Sequence, residues 1–482
     1  METPRRLGIA GLVLGALLVP ALSPAQAAPG PDPAARPQGV IGGPGGGDPY
    51  FPLAGNRGYD VQHYALDLDY TPPRPAPARL VGRLDGVAKI RLVPTQRLRR
   101  FNLDLRGLVA SSVTVDGRLA RFRQTLDNEL VVTPRSSMSP GKKHKVVVRY
   151  GGATGRPKDI EDALYGWVTT RDGAMVVSEP DGSATWFPVN DTPSDKASYR
   201  FKVTVPKGLT VAANGLLESR RTKKGRTTWV WDAPDQMSSY LATATIGNFK
   251  MRRSTTPGGL PVLDFLDRDL PAAKRARSKA SLALTGEMVA FFEERFGRYP
   301  FVSYGSIVDD NSVGYALETQ TRSFFSREAS EATAAHELAH QWMGDHVGLR
   351  RWADIWLNEG WAEYATWLWT EARGGTTAQQ AYEKVLARKA GDKFWTTVVS
   401  DPGRLGIFSD AIYDRGAATL HALRQRVGDE LFFRLARAWV AKYGGRSAGT
   451  REFRRLAERV TGQDLDPLFD AWVVAPIKPA TW

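Results

Sequence analysis

The sequence predicts an α+β chain of more than one domain, with an N-terminal β-sandwich or saddle of antiparallel sheets followed by a mainly helical domain. Two observations predict this. Between about residues 48 and 254 apolar side chains recur at every second position, and from about 255 onward they recur at helical spacing. A third bounds the answer: 482 residues, 42% hydrophobic and 24% charged, form an ordinary globular composition with ample apolar surface for several cores, which excludes a disordered or fibrous chain.

The first segment is neither. Met1-Glu2-Thr3-Pro4-Arg5-Arg6 leads into an apolar stretch over 7–18 and the small-residue site Ala25-Gln26-Ala27, the pattern of a signal peptide over 1–27, which implies a secreted protein. The apolar run is shorter than the roughly 20 residues that span a bilayer, and no other segment is long enough, so no transmembrane anchor is expected. Residues 28–47 are Pro, Gly and Ala with few large apolar side chains and read as a flexible leader.

The β half, 48–254, rests on alternating runs. Tyr64, Leu66, Leu68 and Tyr70 share one strand face, as do Phe101, Leu103 and Leu105, and Tyr199, Phe201, Val203 and Val205; Val146-Val147-Val148 adds a continuous run. The helical half, 255–482, opens with a long amphipathic helix over 272–296 that turns Leu282, Val289, Phe292 and Phe296 inward and ends at Gly297 and Pro300. Strands are expected over 302–308 and 319–325. Helices follow over 331–342, 357–373, 378–390, 411–427, 430–442 and 450–460. No internal repeat is present.

The absence of cysteine excludes disulfides, thiol nucleophiles and thiolate metal ligands. The net charge of +14 comes mostly from scattered arginines with acids interspersed. It reads as a solvated basic surface with at most weak attraction to an anionic cell wall, and no nucleic-acid motif accompanies it.

Chemistry concentrates at Ala335-His336-Glu337-Leu338-Ala339-His340, an H-E-x-x-H sequence inside a predicted helix. Residues four apart lie one above the other on a helix face, so two imidazoles can reach one metal. Zinc suits such a set, because imidazole and carboxylate bind it well and a catalytic site leaves one position open. Asn358-Glu359-Gly360-Trp361-Ala362-Glu363 begins a second helix that can pack antiparallel to the first, which makes Glu359 the natural third ligand. Glu363, one turn on, can hydrogen-bond the second nitrogen of a ligand histidine; a solvated helix glutamate is the alternative. The remaining histidines, His63, His144, His346 and His421, have no paired spacing and read as structural.

The motif pair at this spacing resembles the gluzincin aminopeptidases, the aminopeptidase N and leukotriene hydrolase family. Trp186-Phe187-Pro188-Val189-Asn190-Asp191 with Pro193-Ser194-Asp195-Lys196-Ala197 is similar to that family's N-terminal signature, and residues 292–301 to its Phe-Gly-x-Tyr-Pro segment. The resemblance covers roughly 48–475 and implies a thermolysin-like catalytic domain holding one zinc ion. It also implies roles. Tyr413, in Tyr413-Asp414-Arg415-Gly416-Ala417, corresponds to the catalytic tyrosine. Tyr315-Ala316-Leu317-Glu318-Thr319 stands where the family has Gly-x-Met-Glu-Asn, which gives Glu318 and Ala316 a substrate-binding role while the glycine, methionine and asparagine are replaced. Glu179, in Ser178-Glu179-Pro180, resembles a second anchor for the substrate's amino end, with a turn-capping acid as the alternative.

Taken together these residues imply an aminopeptidase. Glu337 is the expected general base and acid, Tyr413 the expected stabiliser of the oxyanion, and Glu318 and Glu179 the expected partners of a free α-ammonium group. Three other readings stay open: an epoxide hydrolase of the leukotriene-hydrolase type, a zinc endopeptidase, and a non-catalytic binding module. The sequence ends at Trp482 soon after Asp470-Ala471-Trp472, so no C-terminal helical-repeat domain is expected.

Overall fold

A computed structural model describes residues 39–73, 80–126, 128–310 and 312–480. The predicted signal peptide, and the leader up to residue 38, lie outside the described residues. The rest of the leader is corrected. Val40–Ile41 pairs in parallel with Leu98–Asp104, and the amides of Gly42 and Gly46 donate to the carbonyls of Arg100 and Ala54 at 2.9 and 2.7 Å. Small residues serve here because backbone passes close to backbone: a Cβ on Gly42 would stand 2.9 Å from the Arg57 carbonyl oxygen.

The alternating runs form an eight-stranded sheet in the order Leu216–Lys223, Arg226–Met237, Ala197–Pro206, Tyr59–Thr71, Gly82–Pro94, His144–Thr154, Val109–Val115, Arg118–Leu119. One expectation needs correcting: the sheet is not wholly antiparallel, because Tyr59–Thr71 and Ala197–Pro206 run parallel from His63 opposite Ser198 to Asp69 opposite Thr204. Period-two burial holds along both strands, so Tyr64, Leu66, Leu68 and Tyr70 face the core with Tyr199, Phe201, Val203 and Val205. Smaller four-stranded sheets pack with it; one contains Gly166–Thr169, Ala174–Val177, Thr210–Ala213 and Ala244–Gly247, and the chain leaving its second strand carries Glu179.

A five-stranded sheet follows, ordered Phe249–Thr255, Pro261–Asp267, Ser306–Asp309, Ser323–Ser326, Ala316–Leu317. Its first strand crosses the boundary expected at 254/255, so the change from β to helical half lies ahead of Phe249. The strand expected over 319–325 is shorter. Thr319 to Arg322 form a turn, with the Arg322 amide donating to the Thr319 carbonyl at 2.9 Å and Thr321 at φ 64°. The strand expected over 302–308 likewise begins only at Ser306.

The helices come where the periodicity expects them, with one break. The run over 272–296 is two helices, α1 (Ala272–Ala283) and α2 (Thr285–Phe296). The Thr285 hydroxyl donates to the Leu282 carbonyl at 2.8 Å, a side-chain bond that competes with helix continuation. Next come α3 (Glu331–Ala339), α4 (Trp356–Ala372) and α5 (Ala378–Leu386), then α6 (Gly416–Val427), α7 (Asp429–Tyr443) and α8 (Thr450–Thr461). No helix among the described residues is long and apolar enough to cross a membrane.

The halves are joined through a polar contact. Arg322, fully buried, donates to the carbonyls of Ala213 (3.2 Å) and Gly215 (2.9 Å) in the β half and of Leu263 (2.5 Å) and Tyr304 (3.2 Å) in the half that follows. Burial brings its guanidinium down to about 10, and burial brings Asp264, which faces its charge, up to about 6. Asn214 adds bonds to the carbonyls of Leu241 and Gln320 at 3.0 and 2.6 Å. Removing the guanidinium takes a donor from four buried carbonyls, of which Gly215 keeps the Ser303 hydroxyl and Tyr304 keeps the Leu263 amide, and takes from Asp264 the larger of the charges that oppose its own. Arg322→Met is therefore expected to cost about 3–5 kcal/mol, read from urea unfolding; a loss below about 1 kcal/mol would contradict this role.

Candidate active site

Helix α3 begins at Ser330, whose side chain accepts the Thr333 amide, and carries His336 and Glu337 in its last turn; His340 caps its end. Helix α4 packs against α3 and presents Glu359 from its first turn. The three groups expected to hold a metal converge. Glu359 Oε2 lies 3.2 Å from His336 Nε2 and 3.3 Å from His340 Nε2, and the three donor atoms all fall within 4.8 Å of one another. Two imidazole nitrogens and one carboxylate oxygen are a donor set that fits zinc with a position to spare.

The outer nitrogens are fixed as well. His336 Nδ1 faces Glu363 Oε2 at 3.5 Å, and the other Glu363 oxygen accepts the Trp367 indole N–H at 2.7 Å. His340 Nδ1 faces the Met343 carbonyl at 3.2 Å. Such partners set the tautomer and direct Nε2 toward the metal. The electrostatics agree. Burial alone would lower His336, yet Glu359 and Glu363 hold its pKa well above the usual histidine range. Burial would raise Glu359, yet the two histidines bring it down to about 2. A field that binds a proton this strongly also suits a divalent cation.

Glu337 is buried but is not one of the three converging donors. Burial, supported by the charges of Glu318 and Glu359, raises it to about 8 against the opposing pull of the two histidines. Tyr413 stacks on His336 with ring centroids 6.0 Å apart and sits on a π turn, Ala411–Arg415. Buried Arg415 anchors that turn by donating to the carbonyls of Trp395 and Ala475 at 2.9 and 2.6 Å. Burial first, and then the surrounding carboxylates led by Glu359, keep the Tyr413 hydroxyl protonated and able to donate. Glycine makes the approach of α4 to this turn possible: a Cβ on Gly360 would meet the Gly416 backbone at 2.9 Å.

Glu318 lies in the turn between the last two strands of the five-stranded sheet, 2% exposed, with one carboxylate oxygen lacking a hydrogen-bond partner among the described residues. Gln341 binds this turn to the end of α3, donating to the Glu318 carbonyl at 3.2 Å and accepting the Thr321 amide at 2.7 Å. Glu179 reaches in from the β half with one oxygen also unpartnered, and oxygens of Glu179, Glu318 and Glu359 fall within 4.8 Å of one another. Burial and the charge of Glu318 raise Glu179 well above the usual carboxylate range.

All nine residues singled out from the sequence, Glu179, Ala316, Glu318, His336, Glu337, His340, Glu359, Glu363 and Tyr413, line one cleft of about 630 Å³. The other four histidines lie outside it. Four contributors escaped the sequence reading. The Met343 carbonyl carries no side-chain signal, and the loop acids Asp159 and Glu161 sit in no motif; Trp367, four residues after Glu363 on one helix face, offered a readable signal.

The Peptidase family M1 domain matches residues 306–472 and the Peptidase M1 N-terminal domain residues 61–241. A two-domain M1 zinc metallopeptidase, solved as a mutant bound to L-tryptophan, superposes with a TM-score of 0.81 at 30% identity, covering 90% of this chain and 98% of that one. The chain belongs to the peptidase M1 family. An M1 zinc metallopeptidase mutant from Deinococcus radiodurans, bound to a Tyr-Ser-Ala substrate, gives a TM-score of 0.81 at 29% identity over 90% of this chain and 98% of that one. Among curated relatives, the "Probable aminopeptidase 1" of Sulfurisphaera tokodaii is 24% identical over 453 residues, 87% of this chain and 53% of that protein. The chain spans about half the length of the curated relatives it matches.

Loss of an outer partner should weaken the metal site without removing a ligand. Glu363→Ala is expected to lower zinc affinity about 10- to 100-fold, measured by competition with a chelating dye; unchanged affinity would remove Glu363 from the site.

Proposed function

We propose that this chain is an exported zinc aminopeptidase that releases single residues from the free amino ends of peptides and binds one ion per chain through His336, His340 and Glu359. The observation that carries the reading is the pair Glu179 and Glu318, two carboxylates with unpartnered oxygens beside the ligand Glu359. Buried negative charge of this kind calls for a cation. A peptide's α-ammonium supplies one, whereas an internal peptide segment does not. The curated relatives, which are named as aminopeptidases, and the tripeptide bound by the Deinococcus protein support the same reading.

Zinc, when bound, supplies a Lewis acid beside the scissile carbonyl and makes a water acidic enough to ionise near neutral pH. The chain's own residues do the rest. Glu179 and Glu318 hold the α-ammonium group and so fix which peptide bond reaches Glu337. The Glu337 carboxylate takes the water's proton and returns it to the departing amine nitrogen. The Tyr413 hydroxyl donates to the carbonyl oxygen as that oxygen gains negative charge. Backbone along Ala316–Leu317 lies beside the substrate.

The decisive assay is hydrolysis of aminoacyl fluorogenic amides, free and N-acetylated, with and without a chelator. Cleavage restricted to free amines and abolished by the chelator is expected. Cleavage of acetylated peptides would indicate an endopeptidase, and cleavage of neither would favour an epoxide hydrolase or a binding module. Glu337→Gln is expected to retain zinc while lowering kcat about 10²- to 10⁴-fold; wild-type turnover would defeat its assignment. Glu318→Gln should raise KM for free-amine substrates, and an unaltered KM would contradict amine binding. Export predicts a culture-fluid protein whose mature sequence begins just after residue 27, read by amino-terminal sequencing; a protein retaining Met1 would refute it.

A further inference from the structure

A substrate held by its amino end at Glu318 must lay the rest of its chain somewhere. Ala316–Leu317 is the outermost strand of the five-stranded sheet, paired among the described residues on one side only, with Ser323–Ser326. An extended peptide beside it advances about 3.3 Å per residue, so residues beyond the scissile bond run toward Tyr315, roughly 10 Å from Glu318. Tyr315 stands where the resemblance leads one to expect glycine, and its ring lines the cleft.

The Tyr315 hydroxyl donates to the Leu164 carbonyl at 2.8 Å, which ties a loop of the β half, residues 157–165, to the cleft. That loop is well built. Lys158 bridges to Leu164, the Asp159 amide donates to the Ala163 carbonyl at 2.9 Å, and Asp159 Oδ1 accepts the amides of Glu161 and Ala163, both at 2.9 Å. Its one lysine is engaged outside the cleft, with Lys158 Nζ 2.6 Å from Asp162. The Glu161 side chain has no hydrogen-bond or ion-pair partner among the described residues. Asp159, Glu161 and Phe408 line the cleft with Tyr315, and no lysine or arginine does so among the described residues, while on their other side the same three residues border a smaller hollow lined by Arg106, Lys158 and Arg404.

We propose that Tyr315 and the loop it holds form a subsite for the second and third residues of the substrate, in which Glu161 favours a lysine or arginine side chain. The proposal rests on the aminopeptidase reading above. The Tyr315 and Phe408 rings cover the methylene stem of such a side chain while its charge reaches the carboxylates. Tyr315 sets the position of the acids, and Glu161 supplies the discrimination.

The test compares alanine p-nitroanilide with the tripeptides Ala-Ala-Ala, Ala-Lys-Ala and Ala-Ala-Lys, using wild-type, Glu161→Gln and Tyr315→Phe proteins in low salt. Wild type is expected to prefer at least one lysine peptide by about threefold in kcat/KM, a preference that 0.5 M salt erases. Glu161→Gln should lose that preference and keep its rate on the anilide, which has no second residue. Tyr315→Phe, which keeps the ring and frees the loop, should raise KM for all three tripeptides and leave kcat unchanged. No lysine preference in wild type, or a preference that survives Glu161→Gln, overturns the proposal. Equal changes on anilide and tripeptides in Tyr315→Phe would also overturn it. Failure of wild type to cleave the anilide is a failure of the aminopeptidase reading itself.

Discussion

The structure is organised around negative charge that burial makes unstable by itself. Glu179, Glu318, Glu337, Glu359 and Glu363 all face one cleft, and carboxylates withdrawn from water are tolerated only where cations answer them. Two histidines answer part of this charge, bringing Glu359 down to about 2, while burial leaves Glu337 raised to about 8 and Glu179 raised well above its usual range. The remainder is directional. The cleft offers a donor set suited to a divalent ion and, beside it, two carboxylate oxygens without partners among the described residues.

Much of this was legible in the sequence, because the groups that carry chemistry lie on strongly periodic elements. His336 and His340 are four apart on one helix, so helical geometry predicts that they share a face, and Glu359 opens the next helix, which reaches them once the two helices pack together. Glu363 and its contact with His336 follow from the same repeat. The β half was equally readable where alternation is strict, as along Tyr64 to Tyr70. What escaped were features decided by partners distant in sequence. The parallel pairing of Tyr59–Thr71 with Ala197–Pro206 depends on a strand well over a hundred residues away, and period-two burial looks the same in either direction. The turn at Thr319 to Arg322 replaced an expected strand because Arg322 and Thr321 are drawn into contacts with Gly215 and Gln341. The residues around Gly42 are held by backbone hydrogen bonds, which composition cannot reveal.

Small residues govern how near the pieces can come. Gly360 and Gly416 let α4 and the π turn touch through their backbones, and this brings Tyr413 over His336. Arg415, one residue before Gly416, fixes the same turn from the other side by spending its guanidinium on main-chain carbonyls. The tyrosine is thus positioned by two features, a close backbone contact and a buried guanidinium.

Glu179 comes from the β half, whereas the metal donors and Glu337 come from the helical half, and Arg322 and Asn214 pin the two together. The distance between Glu179 and Glu337 is therefore a property of an interdomain joint rather than of either domain. A helical half grafted onto a foreign β half could keep the convergence of His336, His340 and Glu359 yet lose the placement of Glu179 against it. Inheritance should accordingly keep the two modules as a matched pair, with drift at the joint on one side compensated by drift on the other.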